Sequence, residues 1–378
     1  MSNVLPMHGD LQPDPALAAA LDEIEQFFAR YTVLPDDHCY SVLALWAAHT
    51  WVSDIFYVTP RLILDSPEPG SGKTRVLELL HLLCHRPMFT FSTTPSALYR
   101  SISMYELSPT ILQDEADAVF GRGSSQTQDI RALFNAGYKR GATVQRSAKG
   151  EDGGVENFEV FAPVALAGIA GNMPDTITSR SITIHMRRRR ASDHVEPFRE
   201  RHAAAATAGF RREFQRWAFD SPAGQRQALA HHEPVVPEGV RDRAAEIWEP
   251  LLTVADNAGS HWSRIAREAC EYFVLHREDP TPVSPGVQLL RDLYRIFDGQ
   301  QQMHTKDILP ALYDLEEGGE WVTYQRGGAL TARQMAELLS RYGVQRKTLK
   351  VRGVAGKGYV VQGDTGLGQA WERYVENG

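Results

Sequence analysis

Five consecutive residues have the types and order of a phosphate-binding loop: Gly70, Ser71, Gly72, Lys73 and Thr74. Glycines permit a tight turn whose backbone N–H groups can close around phosphate oxygens. Lys73 would contact the β- and γ-phosphates, and the hydroxyl of Thr74 would ligate magnesium. The usual motif has another glycine where this chain carries Pro67, which makes the loop atypical. Because no Asn-Lys-x-Asp motif for guanine is present, the residues predict a site for ATP and Mg²⁺.

A pair of carboxylates, Asp114 and Glu115, ends an apolar run at residues 109–113 that predicts a buried strand. Asp114 would hold magnesium through its water shell, and Glu115 would polarise the attacking water. The alternative is a solvated acidic pair at the end of a strand. A buried strand that leads directly into two acids downstream of the loop favours hydrolysis. Residues 114–117 spell the box of one helicase superfamily, but their short distance from Lys73 excludes that family's first domain.

These side chains need a sheet to bring them together. Residues 61–65 predict a buried strand before the loop, and residues 74–84 have the apolar spacing of a helix after it. Apolar runs at 164–168 and 181–186 predict two further strands. Strands that alternate with helices are typical of an α/β fold with a mostly parallel sheet.

The flanking segments predict further domains. Residues 191–276 predict helices throughout, and the proline-rich stretch 279–285 predicts a boundary. Three helices followed by a hairpin at 349–361 suggest a winged helix-turn-helix. We therefore expect an α/β P-loop AAA+ ATPase core at 59–190, with a helical N-terminal segment at 1–58, a helical lid at 191–280 and a C-terminal winged-helix-like domain at 281–378.

Three polar residues would complete the site in an AAA+ fold. Asn172 follows the strand predicted at 164–170 and would orient the attacking water, unless it forms a simple strand-end turn. Arg180 would reach the γ-phosphate of a neighbouring subunit as an arginine finger, or form a surface ion pair instead. Arg243 lies in the predicted lid and would act as a second sensor of the nucleotide.

The composition is that of a soluble globular protein of 378 residues, 43% hydrophobic and 23% charged. No apolar run approaches the roughly 18 residues of a membrane span, and no secretory signal is visible. We therefore predict a cytoplasmic protein with no membrane partner. The three cysteines, Cys39, Cys84 and Cys270, are too scattered for a zinc site or a disulfide framework, so we expect reduced, buried thiols.

Residues 341–361 carry six positive charges and no acid, in a chain whose net charge is −7. On a winged helix such a cluster would meet nucleic-acid phosphates. The alternative is a winged domain that packs against protein, with solvated charges. The cations predicted to bind DNA are Arg346, Lys347, Lys350, Arg352 and Lys357.

A second candidate for DNA contact is a hairpin predicted at residues 142–161. Superfamily 3 helicases grip one strand with basic residues at the tip of such a hairpin, and here those residues would be Lys149 and Arg146. The neighbouring acids Glu151 and Asp152 would repel phosphate and weaken the case. The arginine run at 187–190 is predicted to be a solvated connector.

Several motifs resemble an uncharacterised ATPase family of phages and actinobacterial mobile elements that often accompanies primase domains. They lie at residues 59–62, 68–75, 133–138, 173–176, 243–252 and 371–374. The resemblance covers nearly the whole chain from about Leu21 and implies an AAA+ helicase module related to superfamily 3. Arg75, which ends the second motif, is also predicted to contact the nucleotide. Ser179 departs from the family pattern, in which an aspartate commonly precedes the arginine.

The first hypothesis is an ATP-hydrolysing, DNA-dependent AAA+ ATPase that acts as a replicative helicase of a prophage or mobile element. It would form a homo-oligomer such as a hexameric ring on single-stranded or forked DNA. No primase active site is visible, so priming would need a separate chain. The alternative is a nucleotide-switched regulatory or phage-defence ATPase whose winged domain binds protein rather than DNA.

Overall fold

The protein consists of two compact units, Met1–Glu278 and Asp279–Gly378. The boundary coincides with the proline-rich stretch in the sequence. The first unit thus combines the segments predicted as N-terminal helices, ATPase core and lid. The computed structural model describes residues 11–91, 93–120, 125–147, 154–169, 173–190, 192–222, 224–276, 285–315, 319–324 and 328–375.

The first unit is built on a five-stranded sheet with the order β2-β3-β6-β1-β7, in which every neighbouring pair is parallel. A separate antiparallel hairpin consists of β4 and β5. The predicted α/β fold with a parallel sheet is therefore confirmed. The strands are β1 (Arg61–Ser66), β2 (Pro87–Thr90), β3 (Thr110–Gln113), β4 (Thr143–Ser147), β5 (Val155–Glu159), β6 (Val164–Ile169) and β7 (Ser181–His185).

The helices of the first unit do not form the uninterrupted run predicted for residues 191–276. Residues 192–199 and 232–241 are not helical, because Pro197, Pro234 and Pro237 lack a backbone N–H and restrict the residues before them. The helices are α1 (Pro15–Tyr31), α2 (His38–His49), α3 (Lys73–Leu83), α4 (Pro95–Ser103), α5 (Ala116–Phe120), α6 (Ser125–Ala136), α7 (Asp175–Thr178), α8 (Glu200–Phe219), α9 (Gln225–His231), α10 (Asp242–Ala258) and α11 (Trp262–Glu271), with a 3₁₀ turn at Ser53–Ile55 and a π-helix at Tyr272–His276.

One hydrophobic cluster joins a face of the sheet to the helices that precede the sheet in the sequence and to the helices that follow it. It contains Leu62 and Leu64 of β1, Trp46 of α2 and Leu251 of α10. All six residues of β1 are buried, as the continuous apolar run predicts for a central parallel strand. The helical segments before and after the sheet therefore share one core with β1.

One member of β1 is a fully buried arginine. Two nitrogens of Arg61 lie 3.0 and 3.1 Å from the carbonyl oxygen of Phe134, and a third donates to the carbonyl of Ala162. Burial lowers the pKa of Arg61 to about 9, because the guanidinium loses hydration. The side chain ties the start of β1 to the end of α6 and to the segment that enters β6.

We expect His49 to make the first unit sensitive to acid. Its Nδ1–H donates to the carbonyl of Trp46 at 2.7 Å, and its Nε2 accepts from the hydroxyl of Thr59 at 2.9 Å. Burial lowers the pKa of His49 to about 4. Between its ordinary value and this one, the unfolded chain binds a proton that the folded chain does not. This group alone should therefore lower the free energy of unfolding by about 3 kcal/mol as pH falls from roughly 6.5 to 4.

Urea unfolding at a series of pH values would measure this loss. His49→Gln should flatten the acid limb of the profile, whereas the matched change His194→Gln at an exposed site should leave it unchanged. Parallel profiles for wild type and His49→Gln would contradict the assignment.

The second unit alternates helices with an antiparallel sheet of order β8-β10-β9. Its core includes Trp321, Tyr359 and Trp371, all nearly or fully buried. Arg352 and Gly353 have φ of +48° and +85°, the conformation of a two-residue hairpin turn, and they join β9 to β10. The elements are α12 (Pro285–Phe297), β8 (Gln302–His304), α13 (Thr305–Tyr313), α14 (Gly319–Val322), α15 (Ala332–Ser340), β9 (Lys347–Val351), β10 (Val354–Val360) and α16 (Leu367–Tyr374).

Composition led to predictions about the cysteines and about membrane-spanning segments. Cys39, Cys84 and Cys270 are free and buried, as expected. Among the helices that the structure describes, none combines the length and apolar character needed to cross a bilayer.

Candidate functional site

The segment of residues 67–74, here called the glycine loop, joins the end of β1 to the start of α3. Gly70 and Gly72 adopt φ of +81° and +91°, a left-handed conformation that favours glycine. Gly72 caps α3, so Lys73 and Thr74 are the first two residues of that helix. A helix N-terminus carries unpaired N–H groups and a partial positive charge. The loop thus gathers an ammonium group, a hydroxyl and free donors at the carboxyl edge of the sheet.

Lys73 is held inside the glycine loop, with 9% of its surface exposed. Its Nζ donates to the hydroxyl of Ser66 and lies 3.3 Å from Oγ of Ser71 and 3.4 Å from the carbonyl oxygen of Glu68. Burial lowers the pKa of Lys73, because the ammonium loses hydration, although nearby carboxylates oppose the shift. Those carboxylates are Asp114, Asp117 and Asp65. The charge is therefore incompletely solvated and suits an incoming anion.

The carboxylate of Asp114 links the two halves of the predicted site. The Thr74 hydroxyl donates to Oδ2 of Asp114 at 2.8 Å, and the backbone N–H of Glu115 donates to Oδ1 at 2.8 Å. Asp114 is 7% exposed, whereas Glu115 is exposed. Strand β3 therefore delivers one buried acid to the glycine loop and leaves the next one free to meet a substrate.

Glu115 has an unusual backbone. Its φ is +52°, in the left-handed region that costs a residue with a side chain roughly 1–2 kcal/mol. Strained conformations of this kind persist where the surrounding structure imposes them, and they cluster at functional sites. Here the N–H bond to Asp114 and the start of α5 at Ala116 hold Glu115 in place.

Asp117, which the sequence did not single out as a site residue, is a third carboxylate in the same place. Its Oδ1 accepts from the backbone N–H of Ile169 at 3.1 Å and ties the first turn of α5 to the end of β6. The approach requires a glycine at position 168, because a Cβ there would lie 2.9 Å from that oxygen and 2.8 Å from Cε of Met173. An acid three residues after Asp114, at the start of a helix, was the only signal for this role.

These residues line one cavity of about 570 Å³, here called the carboxylate cavity. Its walls are the glycine loop, Asp114, Glu115, Asp117 and the end of β6. Within the part of the chain that the structure describes, no group of three or more His, Cys, Asp or Glu side chains is placed to hold a metal by itself. The adjacent oxygens of Thr74 and Asp114 instead fit Mg²⁺, which usually takes one or two protein ligands together with phosphate and water.

A second cavity of about 420 Å³, here called the aromatic cavity, shares Gly70, Ser71 and Gly72 with the first. Tyr31 and Phe198 lie on its wall, with ring centroids 5.4 Å apart and the planes nearly perpendicular. The backbone N–H of Glu196 donates to the carbonyl of Arg30 at 2.9 Å, which fastens two walls of the cavity together. The cavity combines aromatic surface with a few polar groups, as small-molecule sites do.

Arg75, which was predicted to bind the nucleotide, also lines the aromatic cavity. Its guanidinium lies 4.1 Å from the ring centroid of Phe198, and its Nη1 lies 2.8 Å from Oε2 of Glu78. The structure therefore places Arg75 beside the glycine loop, where it lines the aromatic cavity and not the carboxylate cavity.

Arg180 and Arg243 lie at the other edge of the sheet. Arg180 directly precedes β7, and Ser181 pairs with Arg61 at the start of β1, whereas the glycine loop follows the end of β1. The guanidinium of Arg180 lies 4.9 Å from the ring centroid of Tyr138. Nη1 of Arg243 donates to Oγ of Ser179 at 3.1 Å. The structure does not bring either arginine to this chain's own glycine loop, so their predicted roles would require a neighbouring copy.

The predicted DNA-binding hairpin is present as β4 and β5. Arg146 pairs with Asp129, at 3.2 Å between Nη2 and Oδ2, and lies 5.4 Å from the ring centroid of Tyr99. These contacts engage its charge within the protein. Lys149 and Asn172, predicted as the strand-gripping lysine and the sensor, lie outside the described residues.

The cations predicted to bind DNA lie on one hairpin of the second unit and on the residue before it. All five predicted DNA-binding cations are exposed, and Nζ of Lys357 donates to Oγ1 of Thr348 at 2.7 Å across the two strands. The register pairs Lys350 with Ala355 and Lys357 with Thr348, which places both lysines on the same face of the sheet. We call Arg346, Lys347, Lys350, Arg352 and Lys357 the basic hairpin.

Comparison with known proteins identifies the family. A family model described as "Protein of unknown function (DUF3631)" matches residues 185–374, and this chain belongs to that family. The chain is 30% identical over 190 residues to an "Uncharacterized 28.9 kDa protein in xis 5'region" of Saccharopolyspora erythraea, a match that covers 50% of this chain and 68% of that protein. The glycine loop precedes the residues matched by the family model.

Two solved structures align with nearly the whole length of this chain. "The A form apo structure of NrS-1 C terminal region-CTR" aligns with a TM-score of 0.41 and 10% identity, over 94% of this chain and 78% of that chain. A second structure, "The A form apo structure of NrS-1 C terminal region-CTR(305-718)", aligns with a TM-score of 0.41 and 11% identity, over 96% and 79%.

Proposed function

We propose that this protein is a P-loop ATPase of the AAA+ class that hydrolyses ATP with Mg²⁺. The observation that carries the proposal is the bond from Thr74 to Asp114, which joins the glycine loop to the end of β3 beside a desolvated Lys73. Phosphoryl transfer needs positioning and charge stabilisation more than covalent chemistry. A lysine, a hydroxyl, helix N–H groups and two carboxylates in one cavity supply those requirements.

Each residue has a distinct task in this proposal. Lys73 and the N–H groups of the glycine loop bind the phosphate oxygens. Thr74 and Asp114 hold Mg²⁺, which when bound neutralises charge on the phosphates. Glu115 accepts a proton from the attacking water. The aromatic cavity receives the nucleoside, because it adjoins the phosphates across three residues of the glycine loop.

The proposed active form is a homo-oligomer, such as a ring, in which each nucleotide lies between two copies. Its support is the position of Arg180 and Arg243 at the sheet edge away from the glycine loop. A cation there can stabilise only the phosphates of a neighbouring copy's nucleotide. Such an arginine finger couples hydrolysis to assembly.

We further propose that the ATPase works on DNA in the replication of a prophage or mobile element. The second unit has the order helix, strand, helix, helix, hairpin of a winged helix, counting α14 as an addition. Its basic hairpin offers five exposed cations in a chain with a net charge of −7. Contact with phosphates depends more on local charge of this kind than on the net charge of the whole chain.

The proposal is tested by measuring phosphate release from ATP with Mg²⁺, alone and with single-stranded or forked DNA, alongside size-exclusion chromatography. We expect hydrolysis that single-stranded DNA stimulates, together with assembly in the presence of ATP and DNA. Absence of hydrolysis under every condition would overturn the ATPase assignment. Hydrolysis that ignores DNA, in a protein that does not bind DNA, would favour the regulatory alternative.

The double change Lys350→Glu and Lys357→Glu is expected to weaken DNA binding about tenfold or more. The slope of the logarithm of the binding constant against the logarithm of the salt concentration should become shallower by about one for each phosphate contact that is lost. Hydrolysis without DNA should be unchanged, because both residues lie in the second unit. Fluorescence anisotropy at several salt concentrations measures both effects. Lys306→Glu, an exposed charge reversal on α13, is the control. Equal affinities for both variants would remove the basic hairpin from the DNA site.

A further inference from the structure

The arginine run at residues 187–190, predicted to be a solvated connector, passes beside the glycine loop. Strands β1 and β7 are parallel neighbours, so the residues that follow them leave the sheet at the same edge. The backbone N–H of Met186 donates to the carbonyl of Asp65 at 2.6 Å and continues this pairing towards the loop. The topology therefore directs the run towards the proposed nucleotide site.

Arg188 links the arginine run to the glycine loop through two contacts. Its Nε donates to the carbonyl oxygen of Pro69 at 3.1 Å and lies 3.5 Å from Oε2 of Glu68. A Cβ built on Gly70 would lie 3.8 Å from the same nitrogen. The guanidinium of Arg188 thus contacts two residues of the glycine loop, and the next residue, Arg189, lies beside that loop.

Arg189 lines the aromatic cavity together with Gly70, Ser71 and Gly72. These three residues are also the ones that the two cavities share. The other arginine of this cavity, Arg75, is engaged by Glu78 and by the ring of Phe198. Arg189 makes no ion pair with any carboxylate among the described residues.

We propose that Arg189 binds the α-phosphate of the nucleotide. The inference rests on the proposed ATP site: with the β- and γ-phosphates at Lys73 and the nucleoside in the aromatic cavity, the α-phosphate lies at the shared residues. Arg189 and Arg75 both line the aromatic cavity beside those residues, and among the described residues only Arg75 of the two is held by a carboxylate, that of Glu78. A guanidinium presents paired donors that match phosphate oxygens. Glu196, the carboxylate that lines the same cavity, pairs with Arg30 at 3.3 Å between Oε1 and Nε.

The test is isothermal titration of wild type, Arg189→Ala and Arg189→Lys with ATP, ADP and adenosine. We expect Arg189→Ala to raise the Kd of ATP and ADP by the same factor, roughly tenfold, because both carry the α-phosphate. Adenosine binding should not change, and Arg189→Lys should restore part of the loss. Arg187→Ala, an exposed arginine of the same run that does not line either cavity, is the matched control.

The outcomes separate this inference from the proposed function. If wild type binds neither ATP nor ADP, both fail together. If wild type binds and Arg189→Ala behaves like Arg187→Ala, the ATP site stands and only the role of Arg189 is overturned. A loss of ATP affinity without a loss of ADP affinity would assign Arg189 to the γ-phosphate and overturn the assignment made here.

Discussion

Replacing Glu115 with glutamine is expected to lower the rate of ATP hydrolysis by about 10²- to 10⁴-fold and to leave ATP binding intact. Glutamine keeps the shape of the side chain but cannot accept a proton from water. Glu115 is exposed and its side chain makes no bond that holds Asp114, which is fixed through Thr74 and a backbone N–H. Phosphate release and the Kd for ATP, measured on the same preparation, separate the two effects.

Two further variants control this experiment. Glu23→Gln changes an exposed glutamate of α1 and should alter neither rate nor affinity. Glu115→Gly should also lose hydrolysis, but it should raise the free energy of unfolding by about 1 kcal/mol, because glycine adopts a positive φ without steric cost. If Glu115→Gln hydrolysed ATP at the wild-type rate, the proton acceptor would have to be sought in Asp117, the third carboxylate of the cavity.

The sequence was sufficient to predict the glycine loop and four of the five strands of its sheet, whereas β2 was not predicted. Strands β1, β3, β6 and β7 are short apolar runs bounded by turn residues, which is the pattern of buried parallel strands. Their carboxyl ends share one edge, so residues that follow β1 and β3 meet without any knowledge of side-chain contacts. Lys73 and Asp114 were therefore predictable from local pattern alone.

The site residues that could not be predicted are those whose contacts depend on the order of the strands in the sheet. Strand β6 lies between β3 and β1, so the end of β6 lines the same cavity as the glycine loop and Asp114. This placement makes Gly168 and Asp117 neighbours and gives both a role in the site. The same holds for Arg188, whose contact with Pro69 depends on β7 lying next to β1. Gly168 and Arg188 carry no local signal of these contacts, because each acts through a strand that is distant in sequence.

Replacing Lys73 with methionine is expected to weaken ATP binding by about 100-fold or more, since a buried charge-assisted bond is lost and the nearby carboxylates then repel the phosphates. The same change should leave the free energy of unfolding of the nucleotide-free protein unchanged or higher. Burial already lowers the pKa of Lys73, so the folded protein disfavours the charge that methionine would remove.

Thermal unfolding with and without ATP measures both parts of this prediction. A ligand at 100 times its Kd stabilises the folded state by about 2.7 kcal/mol, so ATP should raise the Tm of wild type but not of Lys73→Met. Lys306→Met in the second unit should respond to ATP as wild type does. A Lys73→Met protein that bound ATP normally would contradict the site. Glu115→Gln should bind ATP without hydrolysing it, whereas Lys73→Met should bind ATP about 100-fold more weakly or worse. Together the two variants would assign ATP affinity to the glycine loop and the hydrolytic step to the end of β3.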